Sequence, residues 1–227
     1  MKVVIIRMSS LGDILQCMST VSTIKAKYPE AEVHWLVKDD FYGCLKPLKS
    51  LSKIWNFDKS TGLIGFVKYC LALRTQNFTH IYDAHNNVRS HIASWILCCC
   101  RSSQFIRRSK QRWKRFLLFY LGINRFSQPY RASESFISPL QKWGITKSTT
   151  PAPHLKFSNS SKLLPQQKEI YNQVVIAPSA AWELKRWPVE HWHELLVSNP
   201  NFSFAILGGP QDQFCQTLAN IDPQRIN

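Results

Sequence analysis

The apolar positions of the chain alternate between two rhythms. Val3 to Arg7 opens with a continuous β-branched run, the pattern of a strand covered on both faces. Ile14 to Lys27 then shows helical spacing through Leu15, Met18, Val21 and Ile24, and Pro29 ends that helix. "EVHWLV" (Glu32 to Val37) predicts a second strand, Asp39 to Leu48 a short helix, and "KIWNF" (Lys53 to Phe57) a third strand. A helix over Gly65 to Leu73, strand "HIYDA" (His80 to Ala84) and a helix over Val88 to Leu97 follow. Strands alternating with helices predict an α/β fold with a parallel sheet covered on both faces.

The rhythm then changes. From Ala84 to Ser133 there are ten Lys or Arg and no Asp or Glu, densest in "RRSKQRWKRFLLFYLG". After a helix near Ser133 to Trp143, "TKSTTPAPHLKFSNSSKLLPQQKE" has the composition of a linker. The expected organisation is a domain over residues 1–150, a linker over 151–170 and a second unit over 171–227. That unit restarts with strand Gln173 to Pro178, loop "SAAWELKRW", a helix opened by Pro188, strand Phe202 to Gly209 and a helix from Gln211 to Asn220. Two strands are few for a parallel domain to close its own core, so a second domain cut short at its C-terminus is expected.

Composition narrows the partners. The 227 residues are 44% hydrophobic and carry a formal net charge of +15, which favours polyanions: nucleic acid, anionic lipid or phosphorylated sugars. Seven cysteines, including the Cys98-Cys99-Cys100 run, show neither a disulfide ladder nor a CxxC pair, and read as reduced, mostly core residues of a cytoplasmic protein. The longest apolar stretch, "IASWILCCC", is below spanning length, so any membrane contact is expected to be peripheral.

Three polar loops follow strands, where ligands gather in an open parallel sheet. In "SSLGD", Asp13 reads either as a general base or as a helix N-cap, the second supported by the capping-box patterns Ser10-x-x-Asp13 and Asp13-x-x-Gln16; Gly12 lets the backbone pass closely or with positive φ. No GxGxxG or GxxxxGK[ST] fingerprint occurs. In "DAHNNVRS", Asp83, His85, Asn86, Asn87, Arg89 and Ser90 suit a sugar or phosphate, or form a solvated loop with a capping Asn. In "PSAAWELKRWP", Lys185 and Arg186 precede a helix N-terminus, as a diphosphate site would, or are exposed cations beside packed Trp182 and Trp187. The stretch with Arg107, Arg108, Lys110, Arg112 and Trp113 reads as a solvated helix face or as an interface for an anionic membrane or glycolipid. Nucleic acid is disfavoured, because no RNP-type, helix-turn-helix or zinc-finger pattern supports it.

Together "VVIIRMSSLGDILQCMSTVSTIKAKYPEAEVHWLV", "YDAHNNVRS", "VVIAPSAAWELKRWPVEHWHELL" and "FAILGGPQD" resemble the ADP-heptose:lipopolysaccharide heptosyltransferases, glycosyltransferase family 9. The resemblance implies a GT-B arrangement of two Rossmann-like domains, and transfer of heptose from ADP-heptose to the Kdo or heptose inner core of lipopolysaccharide with inversion. It implies Asp13 as base, with Ser9, Ser10, Gly12, His85, Asn86 and Arg89 on the acceptor side and Ser179, Lys185 and Arg186 on the donor side. No metal is expected, since Lys185 and a helix N-terminus stand in for one and no DxD pair occurs. The implied partners are ADP-heptose, Kdo-lipid A and the anionic cytoplasmic face of the inner membrane. Two features depart from the family: Ala180 and Ala181 stand where some relatives have hydroxyl residues, and the family's later "Asp-Ser/Thr-Gly-x-x-His" loop does not occur before Asn227. A truncated or non-catalytic remnant that binds a polyanion through its basic face is the alternative.

Overall fold

A computed structural model describes residues 1–99, 102–146, 173–180, 182–209 and 211–226. The chain divides into two compact units, Met1–Ser158 and Asn159–Asn227. The expected linker over 151–170 lies outside the described residues.

The first unit is built on β1 (Lys2–Ile6), β2 (Glu32–Lys38), β3 (Lys53–Phe57), β4 (His80–Asp83) and β5 (Gln104–Arg107), paired in the order β3-β2-β1-β4-β5. Every pairing is parallel. Side chains alternate across such a sheet. Val3 and Ile5 therefore face α1 (Leu11–Lys27), which packs Ile14, Cys17, Met18, Val21 and Ile24 against them. Val4, Ile6 and Ile81 face the opposite layer, where α3 (Gly62–Arg74) contributes Phe66, Cys70 and Leu73, and α4 (Val88–Cys98) contributes Ala93, Ile96 and Leu97. Between these, α2 (Tyr42–Leu45) is a single short turn. Beyond β5 come α5 (Arg112–Leu121) and α6 (Glu134–Ile137), and Phe136, Leu140 and Trp143 close the α1 side.

Most expected elements are present with ends shifted by a few residues. One core assignment is corrected. Met18, Val21 and Ile24 are buried as expected, but Leu15 is exposed, and Ile14 and Cys17 complete the inward stripe in its place. A strand was also missed: β5 has only Ile106 buried, and with polar or exposed neighbours it lacks the apolar run that marks an interior strand. Arg107 to Arg115 is consequently a strand end, a loop and a helix start, not one helix face.

The second unit pairs β6 (Val174–Ile176) with β7 (Phe204–Ile206) in parallel and packs α7 (Val189–Ser198) and α8 (Gln213–Ala219) around Leu196, Phe204 and Leu218. Pro188 is the N-cap of α7 rather than its first helical residue. A bridge between Phe204 and Ile226 adds backbone pairing on the far side of β7, a contact the sequence pattern did not announce.

Candidate active site

In the order β3-β2-β1-β4-β5 the chain reverses direction of growth at β1, and the crevice beyond the carboxyl ends of β1 and β4 is where such sheets bind ligands. The residue that organises this crevice is Arg7. Its side chain is buried, donates from Nη1 to the carbonyl of Ala84 at 3.0 Å, and so ties the β1 loop to the β4 loop. Its other terminal nitrogen forms an ion pair with Asp13 in the first turn of α1. Burial lowers the Arg7 pKa, and Asp13 is the largest opposing influence. Sequence reasoning passed over Arg7 as the end of a strand. The available signal was a lone cation closing an otherwise apolar run.

Asp13 does not cap α1. The N-cap position belongs to Ser10, whose hydroxyl makes no capping bond and instead donates to Asp13 Oδ2 at 3.1 Å. Arg7 acts on the same oxygen. Among the described residues no donor reaches Oδ1, which leaves that atom available to an incoming proton. Gly12 has an ordinary backbone and a Cβ there would meet nothing within 4 Å, so its expected conformational role is corrected: it leaves open space at the helix start. Ser9 is half-buried in the same turn.

The β4 loop is fixed by Asp83, which is wholly buried. Its carboxylate accepts the backbone N–H groups of His85 (3.1 Å) and Asn86 (2.8 Å) and the Arg107 Nε (2.7 Å). Asn86 adopts positive φ (54°), donates to the Arg108 carbonyl at 2.8 Å and contacts His91 Nε2 at 2.8 Å. Asn87 and Ser90 form a reciprocal capping box, so the capping alternative holds for Asn87. His85 is half-buried with an unpartnered Nδ1, and burial, with Arg7 next, depresses its pKa to about 4; Lys110 and Lys38 add to that. Arg89 is half-buried in the first turn of α4.

Two residues assigned to an anionic surface are engaged by neighbouring side chains, Arg107 while still exposed and Arg108 half-buried. Arg107 pairs with Asp83, and Arg108 donates to Ser135 Oγ at 2.9 Å and lies 3.7 Å over the Phe136 ring. Lys110 and Arg112 instead line a cavity of about 500 Å³ with Asn86, Asn87, His91 and Ser109, where the starts of α4 and α5 meet. Burial lowers the Lys110 pKa, followed by Arg112 and Arg7. Two helix N-termini and two cations make this cavity suited to carboxylate or phosphate.

In the second unit, Ser179 donates to Asp212 Oδ2 at 2.6 Å, and the Gly209 N–H reaches the same oxygen at 2.8 Å. Arg186 Nε donates to the Ala180 carbonyl at 2.8 Å while its guanidinium stands 4.0 Å from Asp212 Oδ1. The Ser179 hydroxyl, then the Gly209 N–H, lower the Asp212 pKa. Asp212 was not singled out by sequence reasoning, although it closes the quoted "FAILGGPQD". Gly208 is required: a Cβ there would fall 2.8 Å from Cys215 Sγ. Lys185 sits exposed in the single 3-10 turn Glu183–Lys185, directly before Arg186. Trp182 is 70% exposed rather than packed.

These are the parts of a two-unit α/β protein whose strand-end loops hold an oriented carboxylate and a cationic cavity. A family model, glycosyltransferase family 9 (heptosyltransferase), matches residues 67–223, and the chain belongs to that family. It is 35% identical over 98 residues to lipopolysaccharide heptosyltransferase 1 of Campylobacter coli, a match covering 43% of this chain and 29% of that protein. Its fold is similar to a family 9 glycosyl transferase of Veillonella parvula, with TM-score 0.73 and 15% identity over 96% of this chain and 66% of that one. It is also similar to the E. coli heptosyltransferase WaaC solved with ADP-2-deoxy-2-fluoro heptose, with TM-score 0.69 and 17% identity over 100% of this chain and 75% of that one. The matched segment thus spans less than a third of the C. coli relative's own length.

Proposed function

We propose that this chain is an inverting heptosyltransferase that moves heptose from ADP-heptose to the Kdo or heptose inner core of lipopolysaccharide. The observation that carries the reading is the Asp13 carboxylate, held on one oxygen by Arg7 and Ser10, in a chain of a heptosyltransferase family. In this reading Asp13 Oδ1 takes the proton of the acceptor hydroxyl. The freed oxygen attacks the anomeric carbon, the bond to ADP breaks, and the configuration inverts. Lys185, with Ser179 and Arg186, meets the charge that develops on the departing diphosphate, and this leaves no step for a metal. The ADP-sugar analogue bound by WaaC supports the donor class. The cavity beside Lys110 and Arg112 receives acceptor carboxylates or phosphates, in line with Kdo-lipid A. In this reading the reaction takes place at the cytoplasmic face of the inner membrane, where such an acceptor is anchored. Family membership and the named relatives favour this reading over a non-catalytic polyanion-binding remnant.

The test is incubation of the chain with ADP-heptose and Kdo-lipid A, with mass spectrometry of the lipid and assignment of the new anomeric centre. Product carrying one added heptose with inverted configuration is expected, absent for Asp13→Asn. Retained configuration, or full turnover in Asp13→Asn, would overturn the mechanism.

A further inference from the structure

The function proposed above leaves α5 unexplained. None of its described residues is buried, although seven of the ten in "RWKRFLLFYL" are apolar or aromatic. Trp113, Phe116 and Tyr120, at helical spacing, stack ring on ring with centroids 5.5 Å and 5.0 Å apart. This crest faces solvent: Trp113 is 70% exposed and Tyr120 76%. Leu121 and Ile123 extend it with exposed aliphatic surface. Leu118, Phe119, Phe126 and Tyr130, together with Arg115, line a largely apolar cavity of about 380 Å³.

Cations flank the crest along the chain: Arg112, Lys114 and Arg115 lie in α5 and Lys110 and Arg125 just beyond its ends, and among the described residues none of them forms an ion pair with a carboxylate. The surrounding sequence from Ala84 to Ser133 contains no acidic residue. An apolar crest that ends in Trp and Tyr, with uncompensated positive charge on its flanks, matches the two layers of a bilayer surface: acyl boundary for the rings, anionic headgroups for the cations. A second copy of the chain is a poor occupant, because both partners carry +15. Single-stranded nucleic acid is a poorer one, because the rings already stack on one another and the crest continues into aliphatic side chains.

We infer that α5 is a membrane-docking helix that lays its Trp113–Phe116–Tyr120 crest into an anionic bilayer surface. Because Lys110 and Arg112 also line the cavity at the start of α5, docking there brings the bilayer beside that cavity. The inference rests on the exposed surface and not on the transfer reaction, so its test uses vesicles without glycolipid.

The full chain is sedimented with vesicles of phosphatidylcholine alone and of an equal mixture with phosphatidylglycerol. Binding to the mixed vesicles, weakened by salt, is expected. In Trp113→Ala with Tyr120→Ala, affinity should fall by at least about tenfold, as loss of two inserted rings requires, with the melting temperature retained because neither ring is buried. Phe119→Asp provides an independent variant with the same expected direction. Absence of vesicle binding by the unmodified chain would overturn the inference, and so would equal binding by the double variant. Loss in that variant of self-association or of oligonucleotide binding, with vesicle binding intact, would also overturn it by assigning the crest to another partner.

Discussion

Arg7 and Asp13, six residues apart, form an ion pair between a buried cation and a carboxylate whose side chain is 39% exposed. The asymmetry suits a base: the guanidinium is locked by Ala84 and by the nearby Phe136 ring, and it fixes a carboxylate that still reaches the crevice. Asp13→Asn should therefore depress turnover by roughly 10²–10⁴-fold with ADP affinity nearly unchanged. The check is kcat beside calorimetric ADP binding. A parallel loss of both would assign Asp13 to donor binding instead.

Arg7→Met should lower kcat by roughly 10²-fold through a misplaced carboxylate, with acceptor KM little changed. Arg7→Lys retains the charge but not the forked geometry, and should recover only part of that loss. Steady-state kinetics of the two variants decide the matter; unchanged kcat in Arg7→Met would remove Arg7 from any positioning role.

Asp83→Ala removes the acceptor for two loop N–H groups and the partner of Arg107. Breaking such a pair costs about 2–4 kcal/mol, toward the lower side because Arg107 keeps a third of its side chain in water. Urea unfolding is the measurement. A loss below about 0.5 kcal/mol, the range of ordinary surface substitutions, would show that Asp83 does not hold the loop.

His85 gives a pH dependence with a definite sign. Its folded pKa, about 4, lies below the ordinary value of 6.5, so between those values the unfolded chain binds the proton and the folded one does not. Stability should fall as pH drops from 6.5 towards 4, and flatten, for this group, below about 4. Thermal melts of His85→Gln against the unmodified chain isolate the contribution. The difference between the two curves should change across that interval, and a pH-independent difference would mean that His85 titrates normally.

Lys185→Ala should raise the Kd for ADP by roughly tenfold, the loss of one charge-assisted contact to a phosphate. Because a ligand that binds only the folded state raises its melting temperature, the ADP-induced shift should shrink in parallel. An undiminished shift would take Lys185 out of the donor site.

The legibility of the chain follows from how local each interaction is. The alternation of apolar runs in β1, α1 and β2 revealed an α/β fold because each strand buries both faces and each helix one stripe, and both patterns are written in consecutive residues. The motif "RMSSLGDI" likewise placed Asp13 at a strand-to-helix turn. Sequence could not choose between cap and base, since that choice depends on which donors approach the carboxylate. Folding excluded the cap, because Ser10 takes the N-cap position and both Arg7 and Ser10 engage one oxygen of Asp13. It also gave Arg107 and Arg108 the partners Asp83 and Ser135, which lie 24 and 27 residues away along the chain. β5 escaped notice for a related reason: an edge strand with one buried residue has no apolar run to read. The sequence by itself determined the class of fold, the sites where chemistry can gather and the excess of positive charge. Which charges are spent inside the structure, which carboxylate oxygen stays free and which aromatic rings face water were decided only by tertiary structure, because those properties belong to pairs of residues that the chain brings together from a distance.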